Sequence, residues 1–274
     1  MLQLCYTRNI IEESENRVGN MNLYDAIFMR KIVKSYRTES IDDKIQKQIL
    51  NFTKYITASS EERKISYEIL PCSGRQGHPS SHFAVKAPYY FLVTTDKTEE
   101  DIISLGLVME QVALYLLTKE LGSCFVGFKK ASEKDKLTAV LAFGFTNTDI
   151  FNVGKLKRRL SLDSFCVFKD NENQDTRKIL SAAILAPSRQ NSQPWRFVVT
   201  KNRIHVFCKK DIFNLKGQTL DYYKEFDMGM MLAHLMIASE EMWYNAEVVK
   251  NEIIAEKTLK NNIYMFTVVL TEQQ

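Results

Sequence analysis

A cluster of positive charges near the start of the chain could bind an anion such as a phosphate. Arg30, Lys31 and Lys34 lie within five residues of one another, and we expect them to converge from a single turn. Lys157 and Arg159 could approach the same anion from the other side. Guanidinium and ammonium groups are strong donors to phosphate oxygens. The alternatives are a solvated basic surface and a nucleic-acid patch, although the cluster lacks the interleaved aromatic residues typical of such a patch.

A polar loop in the second half of the chain carries a second set of candidate ligands. Ser188, Asn191 and Gln193 lie between an apolar helical stretch and Pro194. The amide of Asn191 offers one acceptor and two donors, so it can pair with the polar edge of a ligand. The alternative is that Asn191 caps the end of the preceding helix, with Pro194 stopping it. We expect Gln193 to fix the loop and Trp195 to be a core residue that opens a strand.

Several common catalytic motifs are absent from the 274 residues. The sequence has no G-x-G-x-x-G after a strand candidate, no P-loop, no H-E-x-x-H and no G-x-S-x-G. The four histidines do not form a plausible metal set, so we expect no metal and structural roles for His205 and His234. The sequence therefore gives no sign of a metal centre or a serine-nucleophile site.

Charge and cysteine usage narrow the class of protein further. The net charge of +4 is too small to require a nucleic-acid partner. The apolar runs fall short of the about 20 residues that span a bilayer, so we expect no membrane partner. The five cysteines never form C-x-x-C, which favours thiols in a reducing cytoplasm.

The elements that position these residues occur twice along the chain. The first series has a predicted helix over 41–55, a strand over 89–95, a helix over 99–121 and a strand over 137–145. The second has a predicted helix over 175–186, strands over 195–200 and 203–207, a helix over 223–243 and a strand over 262–271. We expect a flexible extension over 1–20, similar halves over 21–150 and 175–274, and a basic, polar linker over 151–174. The alternative is one irregular domain whose parts are alike by chance.

Each long helix carries a glycine near its middle, Gly106 and Gly229. These helices are apolar on nearly all sides, which is typical of buried helices. A glycine inside a helix costs about 1 kcal/mol relative to alanine, so a compensating contact is expected. We predict that the two long helices pack together with their backbones close at these glycines.

At family level, the segment Ala186–Phe197 resembles the A-P-S-x-x-N-x-Q-P-W-x-F signature of the FMN-dependent nitroreductase superfamily. The run Arg30–Tyr36 is similar to that family's phosphate-binding arm, and Leu121–Phe128 is similar to the segment after its long helix. Residues 157–159 resemble its C-terminal K-x-R. Family homodimers build two FMN sites between their subunits, and this chain resembles such a dimer fused into one polypeptide. The resemblance implies an α+β fold of the α/β/α type, with two halves related by a pseudo-twofold around long buried helices, in a monomer.

The resemblance also implies which residues hold the cofactor. The residues implied at the FMN phosphate are Arg30, Lys31, Lys34, Lys157 and Arg159. Ser188 is implied near the ribityl chain or ring edge, and Asn191 at the pyrimidine edge of the flavin. The backbone N–H groups of Val126 and Gly127 are implied at flavin N5, where hydride arrives. Ile32 replaces the family's usual Ser, and the second half lacks the basic arm, so we expect one FMN per chain.

The implied activity is hydride transfer from NAD(P)H, through FMN, to a small electron-poor acceptor such as a nitroaromatic or a quinone. Reductant and acceptor would share one site, which gives ping-pong kinetics, and no protein side chain need act as an acid or base. The alternatives are a flavin-binding storage or sensing protein without turnover, and a flavin-free structural protein that retains the fold.

Overall fold

The computed structural model describes residues 21–58, 65–72, 84–130, 136–151, 159–170, 173–210, 221–250 and 259–273. The α-helices in these ranges are α1 (Leu23–Met29), α2 (Asp43–Ala58), α3 (Glu99–Thr118), α4 (Gln174–Ala183) and α5 (Tyr222–Glu241). The strands are β1 (Ser66–Pro71), β2 (Tyr89–Asp96), β3 (Gly122–Lys130), β4 (Lys136–Gly144), β5 (Cys166–Phe168), β6 (Trp195–Thr200), β7 (Arg203–Lys209), β8 (Tyr244–Val249) and β9 (Asn262–Glu272). The expected extension over 1–20 and Lys157 lie outside the described residues.

The strands form two sheets, which makes the fold α+β as expected. The first sheet has the order β1-β2-β4-β3, and the second has the order β5-β6-β7-β9-β8. Neighbouring strands are antiparallel except for β5 and β6, which are parallel. The order β6-β7-β9-β8 is the same as the order β1-β2-β4-β3, and a long helix precedes the last two strands of each set. A pseudo-twofold between the two halves stays a prediction.

The two long helices, α3 and α5, cross with their backbones in contact. A Cβ placed on Gly106 would lie 2.1 Å from the carbonyl oxygen of Phe226, and one on Gly229 would lie 2.0 Å from that of Ile103. The Cα of Gly229 is also 3.2 Å from that Cβ position on Gly106. No side chain larger than hydrogen fits at either position. The predicted close approach at these two glycines is therefore confirmed.

Helix α3 is buried along nearly its whole length. Every residue from Ile102 to Leu117 is buried inside the protein. By length and composition alone α3 could cross a membrane, but its surroundings here are α5, α1, α2 and the first sheet. Its start is fixed by Thr98, whose side chain accepts a hydrogen bond from the backbone of Asp101. The helix is thus the central core element of the fold.

The predicted elements are confirmed in type, with ends that shift by a few residues. Strands β1, β3, β5 and β8 were missed by the sequence patterns. Strand β3 contains two glycines and a bulge, which interrupt the alternation that marks a strand. Strand β5 lies within the segment predicted as a linker over 151–174, where Leu162 and Phe165 are also buried in the core.

Candidate functional site

A cleft of about 340 Å³ opens between β3, the segment after α1, the loop after α4 and the first half of α5. Its lining residues are Arg30, Ile32, Phe125, Val126, Gly127, Pro187, Ser188, Arg189, Tyr223, Asp227 and Met230. This volume falls within the range of small-molecule sites in proteins. Residues more than 150 positions apart in the sequence therefore meet in one concave surface.

One wall of the cleft is a bulge in β3. Phe125 is paired with Leu141 and Gly127 with Val140, so Val126 is an extra residue without a partner in the register. Gly127 has a φ of 140°, in the region that favours glycine, and a Cβ there would meet nothing within 4 Å. The bulge frees backbone groups of Val126 from the ladder with β4, and the glycine leaves open space beside them.

The opposite wall is the loop that follows α4. Ser188 begins a 3-10 turn over Arg189–Asn191, and its Oγ accepts a hydrogen bond from the backbone N–H of Gln193 at 3.0 Å. The side chain of Gln193 is buried, donates to the carbonyl of Asn191 at 3.3 Å and accepts from Leu160 N at 3.4 Å. Gln193 thus fixes the loop, as predicted.

Asn191 is exposed and lies in the left-handed region, with a φ of 58°. It is not among the residues that line the cleft, although it ends the turn that Ser188 begins. The alternative in which Asn191 caps the preceding helix is wrong, because α4 ends at Ala183 and Ile184 is its cap. Trp195 is fully buried and opens β6, as predicted.

The basic arm is extended and does not form the single turn expected from the sequence. Arg30 pairs with Phe151 in an isolated antiparallel bridge, and Ile32 pairs with Ser123 in a parallel one. Alternate residues of an extended chain face the same way, so Arg30 and Ile32 both reach the cleft. Lys31 and Lys34 are exposed and are not among its lining residues.

Arg30 belongs to a buried charge network between α3 and α5. Its Nη1 lies 3.3 Å from Oε1 of Glu110, and the same oxygen is 2.9 Å from Nε2 of His234. Nδ1 of His234 donates to the carbonyl of Ala182, at 3.1 Å. Glu110 and His234 are each 1% exposed. The network therefore ties the cleft arginine to both central helices and to α4, and His234 is structural as expected.

A second arginine lies near this network. Nη2 of Arg159 donates to the carbonyl of Leu185 at 2.8 Å. Burial lowers the pKa of Arg159, an effect that the negative charge of Glu110 opposes and the positive charge of Arg30 reinforces. Two buried guanidinium atoms, Nε of Arg30 and Nη1 of Arg159, have no hydrogen-bond partner among the described residues.

The positive charge of Lys34 influences the pKa of the Cys124 thiol in β3. Burial raises the pKa of Cys124, and the positive charges of Lys34 and Arg30 oppose this rise. Arg30 thus lies within electrostatic range of both Arg159 and the thiol that Lys34 influences. Of the five basic residues predicted at the phosphate, Arg30 lines the cleft, whereas Lys31, Lys34 and Arg159 are not among its lining residues. Lys157 lies outside the described residues.

Helix α5 supplies the aromatic and acidic part of the cleft. The ring of Phe226 stacks on that of Phe125 with centroids 4.6 Å apart. The guanidinium of Arg189 lies 4.0 Å over the ring of Tyr223 and 3.4 Å from Oδ2 of Asp221. These contacts link the loop after α4 to the helix and leave Tyr223 at the wall of the cleft.

Asp227 is the cleft residue that the sequence patterns missed most clearly. It is 3% exposed, and its two carboxyl oxygens lie 3.0 and 3.2 Å from the backbone nitrogen of Arg189. Burial raises its pKa to about 7, against the opposing effect of the Arg189 N–H and guanidinium. An acidic residue among the apolar residues of a long, buried helix was the signal that could have identified it, and the same signal marks Glu110 in α3.

Most of the chain is similar to a known protein family. The model of a family described as "Putative TM nitroreductase" matches residues 22–239. A "Putative NADH dehydrogenase/NAD(P)H nitroreductase" of Archaeoglobus fulgidus is 44% identical over 50 residues, which are 18% of this chain and 29% of that protein. The chain thus matches less than a third of the length of this curated relative.

The fold is similar to that of a solved structure over nearly the whole chain. A crystal structure of a "putative nitroreductase" from Thermotoga maritima covers 96% of this chain and 99% of its own, with 19% identity and a TM-score of 0.65. A second one, from Desulfovibrio desulfuricans and in complex with FMN, covers 53% of this chain and 96% of its own, with 14% identity and a TM-score of 0.41. The first likeness shows that the fold is that of a nitroreductase. Because the family match extends over most of the chain, from α1 to α5, the protein belongs to this nitroreductase family.

Proposed function

We propose that the protein is an FMN-dependent oxidoreductase that passes hydride from NAD(P)H to a small electron-poor acceptor such as a nitroaromatic or a quinone. The observation that carries the proposal is the cleft itself. It joins Arg30 from the basic arm, the β3 bulge and Ser188 from the loop after α4 in one chain. The nitroreductase family membership makes a redox function the natural reading of such a cleft.

The basic residues near the cleft suit the phosphate of FMN. A phosphate monoester carries close to two negative charges and accepts several strong hydrogen bonds. Nε of Arg30 and Nη1 of Arg159 are buried donors without a partner among the described residues, and a buried N–H group without an acceptor is costly. We assign these two arginines and Lys34 to the phosphate, and leave Lys31 and Lys157 as weaker candidates.

The remaining walls suit a flat, largely apolar ring. Phe125 and Met230 offer apolar surface in the cleft, and Ser188 offers a hydroxyl. The Ser188 Oγ accepts from Gln193 N, and its O–H group can still donate to a ligand. Asn191 does not line the cleft, but it ends the turn that Ser188 begins, and on that ground we assign it to the pyrimidine edge of the ring. We assign the N–H groups of Val126 and Gly127 to its N5.

When bound, FMN would accept a hydride from NAD(P)H and give it to the acceptor. The chain's own part is to bind and orient the cofactor, and to hold positive charge and N–H donors where negative charge develops on reduction. Reductant and acceptor would enter the same cleft in turn, so we propose ping-pong kinetics.

The test is a flavin titration of the purified protein followed by steady-state kinetics. We expect a flavin absorbance spectrum, a thermal midpoint that rises with added FMN, and parallel double-reciprocal plots for NAD(P)H and a quinone. Flavin binding without NAD(P)H oxidation would indicate a storage or sensing protein. A colourless protein whose midpoint is unaffected by FMN would indicate a flavin-free structural protein.

We also propose that one chain forms the complete site and works as a monomer with one FMN. The proposal of a complete site in one chain is supported by the cleft, where the segment after α1 and strand β3 meet the loop after α4 of the same polypeptide. The measurements are light scattering of the purified protein and the ratio of released FMN to protein. Among the described cysteines, Cys72 and Cys124 are free thiols, which supports a reducing cytoplasm as the place of action.

A further inference from the structure

The cleft contains an acidic residue, Asp227, that has no role in the hydride transfer proposed above. Asp227 is the one carboxyl group among the described residues that line it. Within the part of the chain that the structure describes, both of its oxygens face a single donor, the backbone N–H of Arg189, at 3.0 and 3.2 Å. A buried, ionised carboxylate normally collects several donors, so one shared N–H is a poor environment for the charged form.

The charges that face Asp227 do not compensate for its burial. From the loop after α4 comes Arg189, whose guanidinium is shared with Asp221 and with the ring of Tyr223. Asp221, the N-cap residue of α5, raises the pKa of Asp227, and Lys224 in α5 lowers it. The Lys224 Nζ is 2.8 Å from the carbonyl of Lys209, to which it donates.

The other walls of the cleft add little charge near Asp227. Strand β3 presents Phe125, Val126 and Gly127, which carry none. The segment after α1 presents Arg30, whose charge is taken up by Glu110 at 3.3 Å. Burial therefore has the largest effect on the pKa of the Asp227 carboxyl, which is raised from 3.8 to about 7. Near neutral pH a large share of the molecules hold a proton on this group.

We propose that Asp227 is the proton donor of the cleft, and that it protonates an oxygen of the acceptor as the acceptor is reduced. The proposal rests on the proposed function. A quinone or nitro compound that receives a hydride equivalent gains two electrons and one proton, and its oxygen then lacks one further proton. The O–H bond of Asp227 breaks, a new O–H bond forms on the acceptor, and the carboxylate left behind is reprotonated by a proton from the buffered solvent.

This role defines the class of acceptor more closely. An acceptor that must be protonated on oxygen benefits from Asp227, whereas one that takes only electrons does not. General acid catalysis typically contributes about 10²- to 10⁴-fold to a rate. A comparison of the rates with the two kinds of acceptor therefore distinguishes proton donation by Asp227 from the other functions of the cleft.

The experiment uses the FMN-loaded protein and the Asp227→Asn variant, which keeps an oxygen for the Arg189 N–H. Stopped-flow absorbance follows flavin bleaching by NAD(P)H, then reoxidation by a benzoquinone or by ferricyanide, which needs no proton. We expect bleaching and ferricyanide reoxidation to stay within about twofold of the wild type. Quinone reoxidation should fall about 10²-fold and lose its decline above neutral pH.

The matched control is Glu225→Gln. Glu225 lies on the same helix, is buried, and has a pKa raised to about 7 by burial, but it does not line the cleft. We expect this variant to reduce both acceptors at the wild-type rate. Equal losses with both acceptors in Asp227→Asn, or unchanged quinone reduction, would overturn the proton-donor role while leaving the proposed function intact.

A second readout needs no cofactor and no turnover. The infrared difference spectrum between the wild type and Asp227→Asn should contain a protonated carboxyl band that disappears as the pH is raised through about 7. A band that is already lost below pH 5 would overturn the proposal. A wild-type protein that NAD(P)H does not bleach would instead overturn the proposed function, and this role with it.

Discussion

Nη1 of Arg30 lies 3.3 Å from Oε1 of Glu110, in an ion pair whose side chains are 10% and 1% exposed. The arginine comes from the segment after α1 and the glutamate from the middle of α3. Since His234 of α5 lies 2.9 Å from the same oxygen, one carboxylate connects three elements. The ion pair therefore holds Arg30, which lines the cleft, against a buried residue of the core.

Removal of this carboxylate should destabilise the protein strongly. In Glu110→Gln the buried guanidinium of Arg30 loses its counter-charge, which typically costs about 3–5 kcal/mol of unfolding free energy. Urea denaturation would measure the loss. The matched control is Glu39→Gln, which removes the exposed partner of Arg37 and should cost no more than about 1 kcal/mol. Similar losses in the two variants would contradict the burial of the network.

Substitution of Gly106 by alanine should also destabilise the protein, although alanine has the higher helix propensity. By propensity alone Gly106→Ala would stabilise α3 by about 1 kcal/mol. The new Cβ would lie 2.1 Å from the carbonyl oxygen of Phe226, so α3 and α5 must move apart. Overpacking of this kind typically costs about 1–3 kcal/mol. A rise in the thermal midpoint of Gly106→Ala would contradict the contact.

Loss of the second buried arginine should weaken cofactor binding more than it weakens the fold. We expect Arg159→Ala to raise the Kd for FMN by about tenfold or more, since a hydrogen bond to a charged group is worth about 1.5–3 kcal/mol. The control is Arg177→Ala, which removes an exposed guanidinium paired with Asp163 at 2.9 Å. Fluorescence quenching of FMN measures both. Riboflavin, which has no phosphate, should bind Arg159→Ala and the wild type alike.

The buried acid in the cleft should make stability depend on pH. The pKa of Asp227 is raised from 3.8 to about 7 on folding, so the native state binds its proton more tightly than the unfolded chain does. This contribution is fully present below about pH 4 and is lost as the pH rises through about 7.

Asp227→Asn removes that dependence. The thermal midpoint of the variant relative to the wild type should therefore increase from pH 4 to pH 8, measured by calorimetry without added flavin. Glu225→Gln should change the midpoint in the same direction, because the pKa of Glu225 is raised in the same way. A midpoint difference for Asp227→Asn that is the same at all pH values would argue against the raised pKa.

Local patterns were sufficient where one physical rule governs a segment. The burial of α3 and α5, their contact at Gly106 and Gly229, and the core position of Trp195 all follow from composition and spacing. Strand β3 was missed because its bulge at Val126 breaks the alternation on which strand prediction depends. The basic arm was expected to turn, but it is extended because it pairs with Phe151 and Ser123, residues far away in the chain.

The sequence by itself determined the family, the main elements and the residue types of the candidate site, because these depend on short motifs and on helical or strand periodicity. Only the tertiary structure decided which of those residues meet. It brought Arg30 and Ser188 to one cleft, left Asn191 and Lys31 outside its lining, and added Asp227. Burial and ion pairing depend on neighbours that are distant along the chain, so no local pattern encodes the environment that raises the pKa of Asp227 or holds Arg30 against Glu110.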